Sequence, residues 1–226
     1  MTTVGHYHLS EIFSSLQGEG LNQGLPATFI RFSTCNLSCT WCDTKKKDNL
    51  SLSLEDVLSR VGRYRNTAVI LTGGEPSIQP GLEELVSELH SKGHWVAMET
   101  NGVIAPKCAD ALDYIAVSPK ADFAARYVDT VMLRKANEVR IVATSEQIAP
   151  FCRNIRNLIE ADRYYISPLD EDGKLHYRRA VNLLLRLNKG HISGVDTLNP
   201  SSEDVSAQEF PPWCLSIQMH KVLGIK

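Results

Sequence analysis

Long apolar runs are missing from this sequence, and with them the capacity to span a bilayer, which takes about 20 consecutive apolar residues. The opening stretch, MTTVGHYHLSEIF, has no basic patch leading into an apolar segment. No secretory signal is therefore expected, and the expected location is the cytoplasm. An excess of charge of one sign is also lacking. A net charge of −2 and a pI near 6.4 leave no electrostatic footprint for nucleic acid or for a membrane surface, and neither is expected as a partner. There is no internal repeat, no low-complexity tract and no Pro/Gly/Ser-rich linker, so residues 1–226 read as a single domain. Cysteines are few: three of the six fall within eight residues and the others are scattered, which is not a disulfide framework.

What is present is the balance of an ordinary globular protein, 43% hydrophobic and 22% charged, long enough to bury a sizeable core. Short apolar segments at 27–33, 68–71, 95–98, 114–117, 138–142 and 164–166 read as strands. Between them lie helical stripes. Leu54, Val57, Leu58 and Val61 repeat at i, i+3, i+4, i+7, with Ser53 and Asp56 placed to cap the start. Leu82, Leu85, Val86 and Leu89 form a second stripe, and Ile148, Phe151, Cys152, Ile155 and Ile159 a third, with Thr144 and Gln147 as its expected capping box. A last helix is expected over 174–188. Alternating strands and helices imply βαβ units and a parallel sheet, whose ligands bind at the carboxyl ends of the strands. The polar motifs fall at such ends. The chain is short for a closed eight-stranded barrel, so the expected fold is α/β, a partial TIM-like β/α barrel.

The chemistry concentrates in Cys35-Asn36-Leu37-Ser38-Cys39-Thr40-Trp41-Cys42. Three thiolates on one loop can each reach an iron of a cubane, leaving one iron open. The same spacing also suits zinc, which needs a fourth ligand that His6, His8, Cys108 or Cys214 would have to supply. Residue spacing alone does not separate the two. Gly73-Gly74-Glu75-Pro76 is either a plain turn or a close approach of backbone and carboxylate to a ligand. It is not a phosphate loop, because no Gly-Lys-Ser/Thr follows.

With an aromatic residue before the last cysteine, this C-x-x-x-C-x-x-C resembles the signature of the radical S-adenosylmethionine (SAM) superfamily, and Gly73-Gly74-Glu75-Pro76 resembles its methionyl-binding segment. Phe13-Ser14-Ser15-Leu16-Gln17-Gly18-Glu19-Gly20, Phe29-Ile30-Arg31, Cys42-Asp43-Thr44, Glu99-Thr100-Asn101-Gly102, Ser118-Pro119-Lys120 and Gln218-Met219-His220-Lys221 are similar to the 7-carboxy-7-deazaguanine synthase family, a similarity spanning nearly the whole chain. It implies a 4Fe–4S cluster on Cys35, Cys39 and Cys42, and SAM cleaved to a 5′-deoxyadenosyl radical and regenerated. It also implies Mg2+ at Thr44, and ring contraction of 6-carboxy-5,6,7,8-tetrahydropterin with loss of ammonia, a carbon–nitrogen lyase reaction of queuosine synthesis.

Implied cofactor contacts are Trp41, Asp43, Gly73, Gly74, Glu75, Gly102, Ser118, Pro119, Lys120, Ser167, Pro168, Leu169 and Asp170. Implied substrate contacts are Leu16, Gln17, Gly18, Arg31, Thr100 and Lys226. An arginine suits a carboxylate bidentately, and a glutamine amide offers both donor and acceptor to a pterin edge. The resemblance further implies a homodimer and an electron donor such as flavodoxin; Lys45, Lys46 and Lys47 read as a solvated loop or, alternatively, as a contact for such an acidic donor. Two departures stand out: the chain ends in Lys226 where the family often ends in proline, and Ser167 stands where glutamine is common. A glycyl-radical activase shares the cysteines and the glycine turn, but not the Gln-Gly-Glu-Gly and Cys-Asp-Thr segments.

Overall fold

A computed structural model describes residues 5–42, 50–128, 131–188 and 212–225. Asp43, Thr44, Lys45, Lys46, Lys47 and Lys226 lie outside them. The chain runs through β1 (Tyr7–Leu16), β2 (Pro26–Phe32), β3 (Leu50–Leu52), α1 (Leu54–Val61), β4 (Ala68–Gly73), α2 (Leu82–Ser91), β5 (Trp95–Thr100) and β6 (Tyr114–Val117). It continues with β7 (Lys135–Ala143), α3 (Ala149–Leu158), β8 (Glu160–Pro168), the small hairpin of β9 (Asp170–Glu171) and β10 (Lys174–Leu175), α4 (Tyr177–Leu187), β11 (Trp213–Leu215) and α5 (Met219–Leu223).

Among the described residues nine strands form one sheet in the order β11-β8-β7-β6-β5-β4-β2-β1-β3. From β2 to β11 every pairing is parallel, and β1 pairs antiparallel with β2 and β3. β3 and β11 are the two ends of the sheet and do not pair, so the barrel is partial, as the sequence implies.

Both faces of the sheet are covered, which is why its strands read as nearly continuous apolar runs. On the helix side, Ile30, Leu71, Met98, Ile141 and Ile166 are fully buried against α1 to α4; each such side chain contributes about 1.5–3 kcal/mol on burial. On the concave side, Phe29, Ile70, Ala97 and Ala116 make an apolar floor with Phe13. Side chains two residues apart on a strand share a face. Arg31, Thr72 and Glu99 therefore stand on that same face, one step toward the carboxyl ends.

Several elements differ from their sequence reading. The helix expected from 174 begins at Tyr177, because Asp172 (φ 50°) and Gly173 (φ 80°) make a left-handed hairpin turn that commits 174–175 to β10. The residue that caps the turn before α3 is Ser145 rather than Thr144: its Oγ accepts the Gln147 N–H at 3.0 Å. The Ser53–Asp56 capping box of α1 is present. The β5–β6 and β6–β7 crossovers, to which the sequence assigned no helical stripe, carry 3-10 turns (Ala109–Ala111 and Ala121–Arg126). β1 had no clear sequence signal, since its burial alternates only partly along the strand. β11 is held by Asn188, whose side chain donates to the Trp213 carbonyl (2.8 Å) and accepts from its N–H (3.0 Å). Among the described residues no helix is long and apolar enough to cross a membrane.

Candidate active site

At the carboxyl ends of the parallel strands the concave face opens into a cavity of about 830 Å3. Its first wall is the loop after β2. The turn after β4 runs beneath that loop and extends the pairing of the two strands: Gly74 N–H donates to the Phe32 carbonyl (2.7 Å) and Glu75 N–H to the Thr34 carbonyl (2.8 Å). A side chain at Gly74 would land on the Thr34 backbone, so only glycine lets the two segments approach. Gly74→Ala is expected to cost about 1–3 kcal/mol, the usual penalty for forcing backbone apart in a packed site. Denaturant unfolding reads this directly, and an unchanged midpoint would contradict the steric argument.

Cys35, Cys39, Trp41 and Cys42 line this wall, and all three thiols are free of disulfides. Burial pushes the Cys35 and Cys39 thiols up, although a Leu37 N–H bond to Cys35 and the Lys120 charge oppose it. None of His6, His8, Cys108 and Cys214 reaches the cavity, so the fourth ligand that zinc would require is not supplied from there. Among the described residues no three His, Cys, Asp or Glu side chains converge on one metal ion. Three cysteine donors on one loop, with no fourth ligand among His6, His8, Cys108 and Cys214, suit a cluster that leaves one iron open better than a structural zinc ion.

Glu75 is buried and fixed. It accepts from Thr100 Oγ1 (2.5 Å), Asn101 N–H (2.7 Å) and Ser77 N–H (3.0 Å), which joins the turn after β4 to the end of β5. Lys120 Nζ donates to Ser118 Oγ (2.7 Å) and sits 5.1 Å from the Trp41 ring centre, while Trp41 Nε1 donates to Asp122 (3.1 Å). Arg31 pairs with Glu11 at 3.1 Å and lies over the Phe13 ring at 5.4 Å.

A strap of residues 17–21 closes the opposite wall. Gln17 Nε2 donates to Glu99 (2.9 Å), Leu21 N–H to Glu138 (2.8 Å) and Gly20 N–H to Ser216 Oγ (3.0 Å). The C-terminal segment answers it: Gln218 Nε2 donates to Glu19 (2.7 Å) and Met219 N–H to the Gly18 carbonyl (2.9 Å). The missing side chain of Gly18 makes room for the His220 ring. At the hub lies Arg140, buried, which bonds Glu99 through Nη1 at 2.9 Å and Glu138 through Nε and Nη2. Burial pushes the Glu99 carboxyl up, but Arg140, with hydrogen bonds from Thr72 and Gln17, outweighs it and holds the group below the usual carboxylate range. Burial likewise works against the Arg140 cation, and Glu99, Glu138 and Glu19 more than restore it.

Most of the residues singled out in the sequence meet here. Leu16, Gln17, Gly18, Arg31, Gly73, Gly74, Glu75 and Thr100 line the cavity with the cysteines and Trp41. So do Ser118, Lys120, Ser167, Pro168, Leu169 and Asp170, the last paired with Lys221 at 3.0 Å. Gly102 and Pro119 do not line it. Gly102 turns behind Thr100 at φ 77° and donates to its Oγ1 (3.1 Å), and Pro119 is buried. Glu19, Glu99, Gln218 and His220 stood inside motifs without a role of their own, and Glu138 and Arg140 were missed; for Glu99, Glu138 and Arg140 the available signal was a charge inside the apolar strands β5 and β7.

The Radical SAM superfamily matches residues 29–169. A 7-carboxy-7-deazaguanine synthase of Neisseria meningitidis serogroup B is 40% identical over 220 residues, which cover 97% of this chain and 94% of that protein. One of Haemophilus influenzae is 39% identical over 98% of this chain and 95% of its own length. Among solved structures, QueE from Escherichia coli superposes with a TM-score of 0.67 over 95% of each chain at 24% identity, a likeness of fold.

Proposed function

The chain belongs to the Radical SAM superfamily and, within it, to the 7-carboxy-7-deazaguanine synthases, and on that premise we propose that it contracts 6-carboxy-5,6,7,8-tetrahydropterin to 7-carboxy-7-deazaguanine. Loss of ammonia alone balances the atoms of substrate and product, so no net oxidant is consumed. The observation that carries the reading is the meeting of the three-cysteine loop, the Gly73-Gly74-Glu75 turn and the Arg31 guanidinium in one cavity. A bound 4Fe–4S cluster with SAM supplies hydrogen-atom abstraction there.

The chain's own residues bind and orient. Cys35, Cys39 and Cys42 hold the cluster. Glu75, fixed by Thr100 and Asn101, presents a carboxylate to the cofactor's ammonium, a charge-assisted bond. Ser118, Lys120 and the 167–170 segment line the wall along which the rest of the cofactor lies. Arg31 takes the substrate carboxylate. Gln17 and Gly18 read the pterin edge, and Arg140 acts through Glu99 to hold Gln17 in place. Thr44 would offer its hydroxyl to Mg2+, Asp43 would contact the cofactor and Lys226 the substrate. A homodimer fed by a flavodoxin-like donor belongs to the same proposal.

The test is an anaerobic assay of the reconstituted protein with SAM, reductant, Mg2+ and the pterin, followed by mass spectrometry. Product at the mass of 7-carboxy-7-deazaguanine with the SAM pool undiminished supports the reading. Slow 5′-deoxyadenosine release without that product would overturn the substrate and redirect the search to an activase. Arg31→Ala is expected to raise KM about 10- to 100-fold, the cost of a lost hydrogen bond to a charged group, while the cluster spectrum stays as in the parent. Unaltered KM would remove Arg31 from the substrate site.

A further inference from the structure

The Asn36 amide sits between the first cysteine and the end of β5, and the chain fixes which way it faces. Val103 N–H can only donate, and it donates to Asn101 Oδ1 at 3.0 Å. Asn101 therefore turns its Nδ2 toward Asn36, whose Oδ1 accepts it at 2.7 Å. Asn36 Nδ2 is left over: a buried donor with no partner among the described residues. Leaving such a group unsatisfied is unfavourable, and native structures rarely do so.

Its neighbour is Cys35. Cys35 Sγ lies 3.9 Å from Asn36 Oδ1 and already accepts the Leu37 N–H at 3.4 Å. A cysteine that binds metal loses its proton. The thiol can then no longer donate to Asn36, and its sulfur becomes purely an acceptor. The unspent N–H groups of the same side chain are the complement to that sulfur.

We infer that Asn36 Nδ2 is a hydrogen-bond donor to the cluster sulfurs at Cys35, held in position by Asn101, and that it raises the reduction potential of the cluster. The inference rests on the reading of the cysteine loop as an iron–sulfur site. Hydrogen bonds to cluster sulfurs stabilise the more negative, reduced state. Asn36 is thus a positioning and tuning residue and not a ligand.

The parent, Asn36→Asp and Asn36→Ala are reconstituted anaerobically, assayed for iron and sulfide, and titrated by EPR without substrate. The expected result is an equal load in all three and a midpoint displaced to lower potential in both variants. The displacement is larger in Asn36→Asp, which keeps the acceptor for Asn101 but replaces the donor with a negative charge. At a fixed potential Asn36→Asp is expected to show about tenfold less reduced cluster relative to oxidised, or ~59 mV for a one-electron couple. Loaded variants with the parent's midpoint would overturn the inference. So would a lower load with an unchanged midpoint, the sign of a residue that merely pins the loop. If Asn36→Asp takes up no cluster, the midpoint of Asn36→Ala decides. A parent that binds no iron and sulfide would overturn the underlying reading, and this inference with it.

Discussion

Cys39→Ala should yield a protein that folds like the parent, takes up less iron and sulfide, and turns over no substrate. The side chain belongs to the cavity wall and not to the hydrophobic core, so its truncation leaves the sheet and helices intact. It removes one of three thiolates, and three is the smallest set that can hold a cubane while one iron stays open. The effect on activity is therefore complete loss, with far-ultraviolet circular dichroism and the unfolding midpoint close to those of the parent. Chemical analysis of iron and sulfide, together with the 5′-deoxyadenosine assay, measures it. Turnover at even a few per cent of the parental rate would remove Cys39 from the cluster. Equal loading with zinc in place of iron would revive the zinc reading of the cysteine loop.

The second large effect is on stability. Arg140→Met leaves Glu99 and Glu138 facing each other on the concave face without the cation between them, and breaking a buried ion pair from one side costs about 3–5 kcal/mol. Against a typical total of about 5–15 kcal/mol this approaches unfolding. The sign of the pH dependence follows from Glu99. Its carboxyl titrates below the unfolded value of about 4.3 in the parent. The stabilisation it contributes is therefore present above that value and lost as pH falls through the folded one. In the variant that depression is gone, so the gap between parent and variant is widest at neutral pH and narrows on acidification. Urea unfolding of both proteins at pH 7 and near pH 4 measures it. A difference below about 1 kcal/mol at pH 7, the range of a solvated surface pair, would mean that the network is not buried in effect. Because Glu99 also holds Gln17, surviving Arg140→Met enzyme should show a raised KM for the pterin.

Much of this protein is legible along the chain. The cysteine spacing, the glycine turn after 68–71 and the alternation of apolar strands with amphipathic stripes each depend on residues near one another in sequence. Local periodicity and turn chemistry suffice to read them. They specify a partial β/α barrel with ligands at the carboxyl ends of its strands, and the family resemblance supplies the cofactor.

The network around Arg140 depends on something else. Glu99 and Arg140 are 41 positions apart, and Gln218 lies 199 positions from Glu19. Their partnership exists only because parallel strands curve around one concave face and two crossing segments close over it. No local pattern reports such contacts; a lone charge inside an apolar strand shows that a partner is needed without saying which. The same holds for Asn36. Sequence places it beside a cysteine, but the direction of its amide is decided by Val103, reached only through Asn101 at the far end of β5. Sequence determined which groups are present and on which loops, because covalent neighbours share a turn. Tertiary structure decided which of those groups meet, because that depends on how the sheet closes.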